Sequence, residues 1–325
     1  MIADMHCDTI SEMLSHKEKG EKISLRENNL HIDLRRMQKS GYLVQNFALF
    51  VEKSRVYDPW QQVCRLAEVY KEELSANQDL IAPALNSADI WENHKRGLMS
   101  ALLTVEEGAV CKGDIGRLEM LYDMGVRMLT LTWNYPNELG FPNLNKEEHQ
   151  QMPDTRRGLT HKGLEFVERM EELGMIPDVS HLSDAGFFDV LKVTKKPFVA
   201  SHSNARSICP SVRNMTDEMI KSLGERGGVM GLNFYADFLE EKPDGVYNPG
   251  TLEAVVRHAK HIVKVGGIEI LGLGSDFDGI ETNEALPGAQ SMGKLAEALL
   301  QSGFHESELD KILYGNVMRV YEECL

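Results

Sequence analysis

His6-Cys7-Asp8 sets two side chains able to ligate a metal one residue apart, directly after the apolar run 1–5. Side chains in an extended strand alternate between faces, so His6 and Asp8 are predicted to share one face. Cys7 then points the other way, packed against surrounding helices. The pair alone suits a metal site or a strand end closed by hydrogen bonds. The same residue types recur, however, where other apolar, β-rich runs end: Glu106, then Asp178 with His181, then His202, then Asp276 with Asp278. Imidazoles and carboxylates without clustered thiols suit zinc or a similar divalent ion. With a carboxylate as bridge, two ions about 3.5 Å apart would acidify a shared water and polarise a carbonyl together. The chemistry implied is hydrolysis.

Such residues need a frame that brings distant strand ends to one rim. Apolar runs at 2–8, 43–50, 99–105, 126–132, 175–179, 197–201, 228–234 and 269–275 alternate with helix-forming stretches, the pattern of a parallel sheet with crossover helices. Eight strands are what a closed (β/α)8 TIM barrel requires, and its active site lies at the C-terminal ends of the strands. Helices are predicted over 59–75 after a proline, over 160–173 from Thr160 to a stop at Gly174, and from Ser183 and Thr251 as N-caps. From about Ser291 onward two or three extra C-terminal helices close the barrel. Residues 133–158, rich in Asn, Pro and charge, form a long loop predicted to lie over the mouth. No linker or repeat divides the chain, so residues 1–325 are expected to form a single barrel domain. His94, His149, His258, His261 and His305 fall outside the strand ends and are assigned to surface or structural roles.

A net charge of −15 argues against a nucleic-acid partner. Five scattered cysteines, with no Cys-x-x-Cys spacing, point away from a disulfide framework and towards a reducing compartment. The N-terminus lacks a signal-peptide pattern, and no run reaches the roughly 18 apolar residues of a membrane span, so a cytoplasmic protein without a membrane partner is expected.

His6-Cys7-Asp8, Val105-Glu106-Glu107-Gly108, Asp178-Val179-Ser180-His181, Ser201-His202-Ser203-Asn204-Ala205, Arg213-Asn214, the run Gly227–Phe234 and Gly274-Ser275-Asp276-Phe277-Asp278-Gly279 resemble, nearly end to end, the membrane (renal) dipeptidases. These are zinc peptidases of the amidohydrolase superfamily. The resemblance implies two Zn2+ ions, one held by His6, Asp8 and Glu106 and the other by Glu106, His181 and His202. It implies hydrolysis of short dipeptides, L,D-dipeptides included, by a metal-bridging hydroxide. Glu106 is preferred to Glu107 as the bridge because it matches the first residue of the family's segment. Arg213 matches the arginine that holds the substrate carboxylate. Asp276 matches the aspartate that meets the substrate amine and shuttles a proton, while Asp278 is assigned to supporting backbone N–H groups.

Two departures stand out. Characterised mammalian relatives carry a histidine that contacts the substrate carbonyl where this chain has Trp133, with Asn134 and Asn137 nearby, so another donor or the metal alone polarises the carbonyl, and Trp133 and Asn134 are assigned to substrate binding. Those relatives are also secreted, disulfide-linked and lipid-anchored, whereas this chain fits a soluble bacterial-type member. The partner expected is a small dipeptide, with a homodimer left open. Alternatives are hydrolysis of another small amide, such as an N-acyl amino acid or a lactam, and a metal-binding barrel without turnover.

Overall fold

The computed structural model describes residues 1–325 except 244 and 282. Its strands are β1 (Ile2–Asp4), β2 (Tyr42–Phe50), β3 (Ile81–Pro83), β4 (Met99–Glu106), β5 (Val126–Thr130), β6 (Leu144–Asn145), β7 (Gln150–Gln151), β8 (Ile176–Asp178), β9 (Val199–Ala200), β10 (Val229–Leu232) and β11 (Leu271–Leu273). The parallel order β2-β1-β11-β10-β9-β8-β5-β4 closes on itself through β2–β4 pairing, which runs from Val44↔Ser100 to Phe50↔Glu106. This is the eight-stranded barrel that the alternating pattern predicts. The added strand β3 hangs on the outer side of β4, and β6 with β7 makes a small antiparallel hairpin inside the loop 133–158. Both are too short to carry a periodic signal.

The predicted helices form where capping chemistry places them. Asp58 accepts the Trp60 N–H ahead of the helix Pro59–Ala76. Thr160 accepts from Gly163 at the start of His161–Leu173, which Gly174 ends at φ 77°. Ser183 and Thr251 cap Asp184–Val193 and Leu252–Gly266 in the same way. The C-terminal segment holds the helices Met292–Gln301, Glu306–Asp310 and Asn316–Cys324, the last two joined by a π turn at Lys311–Gly315. One apolar layer packs between strands and outer helices, and Cys7 belongs to it as predicted. A second gathers Leu102, Met128, Ile176, Val199 and Val229 with Val317, Val320 and Tyr321 of the last helix, filling the barrel floor.

The first strand is shorter than predicted. It ends at Asp4, and Asp8 already stands at the N-cap of the helix Thr9–Glu18 with φ −104° and ψ 15°. His6 and Asp8 therefore do not share a face through strand alternation. Past Asp4 the pairing continues irregularly: Met5 N–H donates to Leu273 O at 2.9 Å, His6 O accepts the Asp276 N–H at 3.2 Å, and Cys7 keeps an isolated bridge to Phe277.

His258 proves structural and fully buried. Its Nδ1 accepts the Ala205 N–H at 3.0 Å and its Nε2 donates to Leu239 O at 2.9 Å, tying two rim segments to the helix Leu252–Gly266. Burial lowers its pKa from 6.5 to about 4. The unfolded chain takes up a proton below pH 6.5 that the folded chain refuses. The contribution is therefore intact above pH 6.5 and is lost as pH falls towards 4, by about 3 kcal/mol in all. Urea denaturation is expected to show the wild type losing about that much more than His258→Gln between pH 7.5 and 4; parallel losses would refute this.

Candidate active site

Glu106 closes β4, and the alternation that turns Leu103 and Val105 to the outer layer turns Leu102, Thr104 and Glu106 inward. The other site residues lie just past their strands, where two carboxylates supplement the backbone pairing. Asp4, at the end of β1, accepts the Ser275 N–H at 2.9 Å and the Ser275 hydroxyl at 2.6 Å. Asp178, at the end of β8, accepts the Ser201 N–H at 2.8 Å and the Ser201 hydroxyl at 2.6 Å, with Thr130 Oγ1 adding a third bond at 2.6 Å. Each clamped serine directly precedes a site residue, Asp276 or His202. Asp276 and His181 sit on left-handed backbone, at φ 63° and 69°, a strain that surrounding contacts must hold.

The result is a compact cluster. His6 Nε2 lies 3.3 Å from Asp8 Oδ2, 3.3 Å from Glu106 Oε2 and 3.8 Å from Asp276 Oδ1. On the other side of Glu106, Oε1 is 2.9 Å from His181 Nε2 and 3.5 Å from His202 Nε2, and the two ring nitrogens are 2.9 Å apart. Three donor groups able to hold a metal ion result: His6, Asp8 and Glu106; Glu106, His181 and His202; and His6, His202 and Asp276. All of these side chains are buried.

Proton placement makes this cluster fit a cation. The Ser201 hydroxyl donates to Asp178, so it receives the His202 Nδ1–H at 2.8 Å. Asn134 Oδ1 lies 2.8 Å from His181 Nδ1 and receives its proton in the same manner. Both Nε2 atoms are then left as bare lone pairs facing each other and a carboxylate, an arrangement that a divalent ion relieves. Burial, with Arg213 adding to it, lowers His181 to about 3, and burial with His6 lowers His202 to about 4, so both rings are neutral at pH 7. Burial opposes the charged form of Glu106, but the neighbouring charge of His6, the largest of the opposing influences, helps hold the carboxyl well below its usual range. His6 Nε2 and Asp8 Oδ1 are buried without an aligned hydrogen-bond partner among the described residues. Such orphaned donor atoms are costly unless a ligand satisfies them.

A cavity of about 340 Å³ opens over this cluster, lined by Trp133, Asn134, Tyr235, Phe238 and Asp276 among others. Trp133 packs edge-on against Phe50 at 4.9 Å, and Lys146 Nζ caps its ring at 4.0 Å. Trp133 and Asn134, at the start of the loop 133–158, thus form one wall, and the loop is anchored where Asn143 N–H donates to His181 O at 3.1 Å and Asn143 Nδ2 to Asp184 Oδ1 at 2.7 Å. Arg213 is 4% exposed, not a solvated loop residue. It stands behind Phe238, donates from Nη2 to His202 O at 3.1 Å and keeps Nε without a partner among the described residues. Glu107 is turned away at φ 107°, accepting from Ala109 N and Asn137 Nδ2, outside the metal-binding groups. Asp278 likewise accepts from Thr9 Oγ1 and His31 N, each at 2.6 Å. Sequence reasoning missed the clamping role of Asp4 and Asp178 and the contact of Asn134 with His181. The one available signal was the repeat of a serine immediately before His202 and Asp276.

A closed parallel barrel with buried imidazoles and carboxylates gathered at its C-terminal rim is the frame of a metal-dependent hydrolase. The family model described as membrane dipeptidase (peptidase family M19) matches residues 1–324. The chain belongs to that family and is a metallo-dipeptidase, a hydrolase of peptide bonds. It is 32% identical to a Klebsiella pneumoniae protein from the pqqA 5′ region over 80% of this chain and 94% of that one. It is 31% identical to an uncharacterised dipeptidase of Schizosaccharomyces pombe over 91% of this chain and 73% of that one. The crystal structure of a metallopeptidase from Rhodobacter sphaeroides, liganded with a phosphinate mimic of the dipeptide L-Ala-D-Ala, superposes with a TM-score of 0.91 at 26% identity, covering 100% of this chain and 99% of that one. Among the described residues no helix is long and apolar enough to cross a membrane.

If Asn134 sets the tautomer of His181, Asn134→Leu should weaken divalent-metal binding by about 10–100-fold, read by chelator competition, while Asn134→Asp retains it. Equal affinity in Asn134→Leu and wild type would remove that role.

Proposed function

We propose that this chain is a binuclear zinc dipeptidase that cleaves short dipeptides, L,D-dipeptides included. The observation that carries the reading is Glu106, whose two carboxylate oxygens face different histidine sets, His6 on one side and His181 with His202 on the other. A carboxylate so placed bridges naturally. His6, Asp8 and Glu106 would hold one ion and Glu106, His181 and His202 the other, in keeping with the donor groups that lie within reach of each other. When bound, the zinc pair supplies an acidified water and a Lewis acid for the scissile carbonyl.

The chain's own residues do the rest. Asp276 offers Oδ1 towards the cluster while Asn233 Nδ2 occupies Oδ2 at 2.8 Å. Oδ1 is thus the atom to meet the substrate amine and to pass a proton to the leaving group. Arg213, buried and with an unpartnered Nε, is suited to the terminal carboxylate. Trp133 gives the cavity an apolar wall in place of a polar contact to the carbonyl, and Asn134 acts on that wall chiefly through His181. The L-Ala-D-Ala mimic bound by the R. sphaeroides relative supports acceptance of a D-residue at the second position. The five cysteines are free thiols, in keeping with a reducing compartment.

Metal-reconstituted protein should release free amino acids from members of a panel of L,L- and L,D-dipeptides, with two zinc ions per chain by elemental analysis. Inertness towards every L,D member would end the L,D assignment, and one ion per chain would end the binuclear one. Arg213→Ala should raise KM about 10–100-fold for free-carboxylate dipeptides, the loss of one charge-assisted hydrogen-bond pair. Because Arg213 also holds His202 O, metal content is checked alongside. An equal effect on C-terminally amidated substrates would exclude the assigned contact.

A further inference from the structure

Two asparagines from the sequence motifs, Asn204 and Asn233, are joined by the fold behind Asp276. Asn204 Nδ2 donates to Asn233 O at 2.9 Å, and Asn204 Oδ1 accepts the Asn233 N–H at 3.2 Å. One side-chain amide thereby satisfies both backbone groups of Asn233, as a neighbouring strand would, just where β10 has ended. The Asn233 side chain is held in turn: its Oδ1 accepts the Tyr235 N–H at 2.7 Å. A backbone N–H can only donate, so the oxygen of the amide faces Tyr235 and the nitrogen must face the other way. There it donates to Asp276 Oδ2 at 2.8 Å. Asn204 and Asn233 are fully buried, and Asp276 is 9% exposed.

We infer that Asn233 is a positioning residue for Asp276, occupying Oδ2 and turning Oδ1 to the substrate. The inference rests on the assignment of Asp276 made above. The need for it is physical. Asp276 stands on a left-handed turn outside the ladder, at φ 63°, and its carboxyl would otherwise be free to rotate about χ2. A site that transfers a proton requires one oxygen held in a fixed direction. Asparagine also suits the position better than its isostere. An aspartate at 233 would set a second carboxylate against Asp276, and two such groups share a proton rather than both ionise.

Asn233→Asp separates this role from a structural one. The substitution keeps the acceptor for Tyr235 N–H and leaves the Asn204 contacts, which involve only the main chain of residue 233, untouched. It replaces a permanent donor to Asp276 by one that donates only while protonated. The charged groups around Asp276, namely His6, Asp8, Glu106 and Arg213, are common to both proteins. Measured on zinc-loaded enzyme with whichever dipeptide the wild type cleaves, kcat of Asn233→Asp should fall at least 10-fold at pH 8. It should recover towards wild type as pH is lowered, with zinc content and melting temperature unchanged. Wild-type kcat and pH profile in a fully metallated Asn233→Asp would overturn the inference. Should that variant not fold, Asn233→Ser carries the test, since it removes the amide reaching Asp276: a loss of at least 10-fold at all pH values supports the role, and wild-type kcat overturns it. Asp276→Asn is the control. Full activity there would show that the assignment of Asp276, and the inference with it, is wrong, whereas an inactive Asp276→Asn beside a wild-type-like Asn233→Asp would reject the positioning role alone.

Discussion

Two buried carboxylates hold the rim of this barrel together. Asp4 and Asp178 each grip a serine on a neighbouring strand through both its N–H and its hydroxyl. A parallel ladder alone would carry the chain straight on, with side chains alternating inward and outward. The clamps let β1, β8, β9 and β11 leave the ladder early while their ends stay in register. His6, His181, His202 and Asp276 project from the irregular backbone that follows. Charge-assisted hydrogen bonds of this kind are stronger than neutral ones, which suits a place where strained residues must be kept in position.

The same clamps carry the electrostatics. Ser201, by giving its proton to Asp178, becomes the acceptor for His202 Nδ1 and so leaves His202 Nε2 bare towards Glu106. Asn134 does the equivalent for His181 from the opposite wall. A chain of buried polar groups thus ends in lone pairs aimed at one small volume. Such a network is costly in a low-dielectric interior unless a cation completes it. Asn233 donates to Asp276 Oδ2, while Asp276 Oδ1 lies 3.8 Å from His6 Nε2 at the edge of this set.

Much of this was legible in the linear chain. Strand and helix periodicities and the caps at Thr160, Ser183 and Thr251 agree with the structure. The strand ends were less legible. The first strand is shorter than its apolar pattern predicts because Met5 and Cys7 are apolar and buried like strand residues, although the regular ladder ends at Asp4. The small strand β3 left no signal, since Ile81–Pro83 is shorter than the run of about four residues over which alternation reveals a strand. Trp133 and Asn134 were assigned together to the substrate, yet Asn134 also holds His181, a contact across 47 positions that local pattern does not encode.

Residue types and their order along the chain determined the barrel, the metal-capable residues and the family. These depend on local alternation, capping chemistry and motif spacing, all carried by neighbouring residues. Only the tertiary structure decided which carboxylate oxygen faces which ring nitrogen, which carboxylates grip the serines before His202 and Asp276, and that Asn233 meets Asp276. Those answers belong to hydrogen bonds between strand ends as far apart as Asp4 and Ser275, which become neighbours only when the barrel closes.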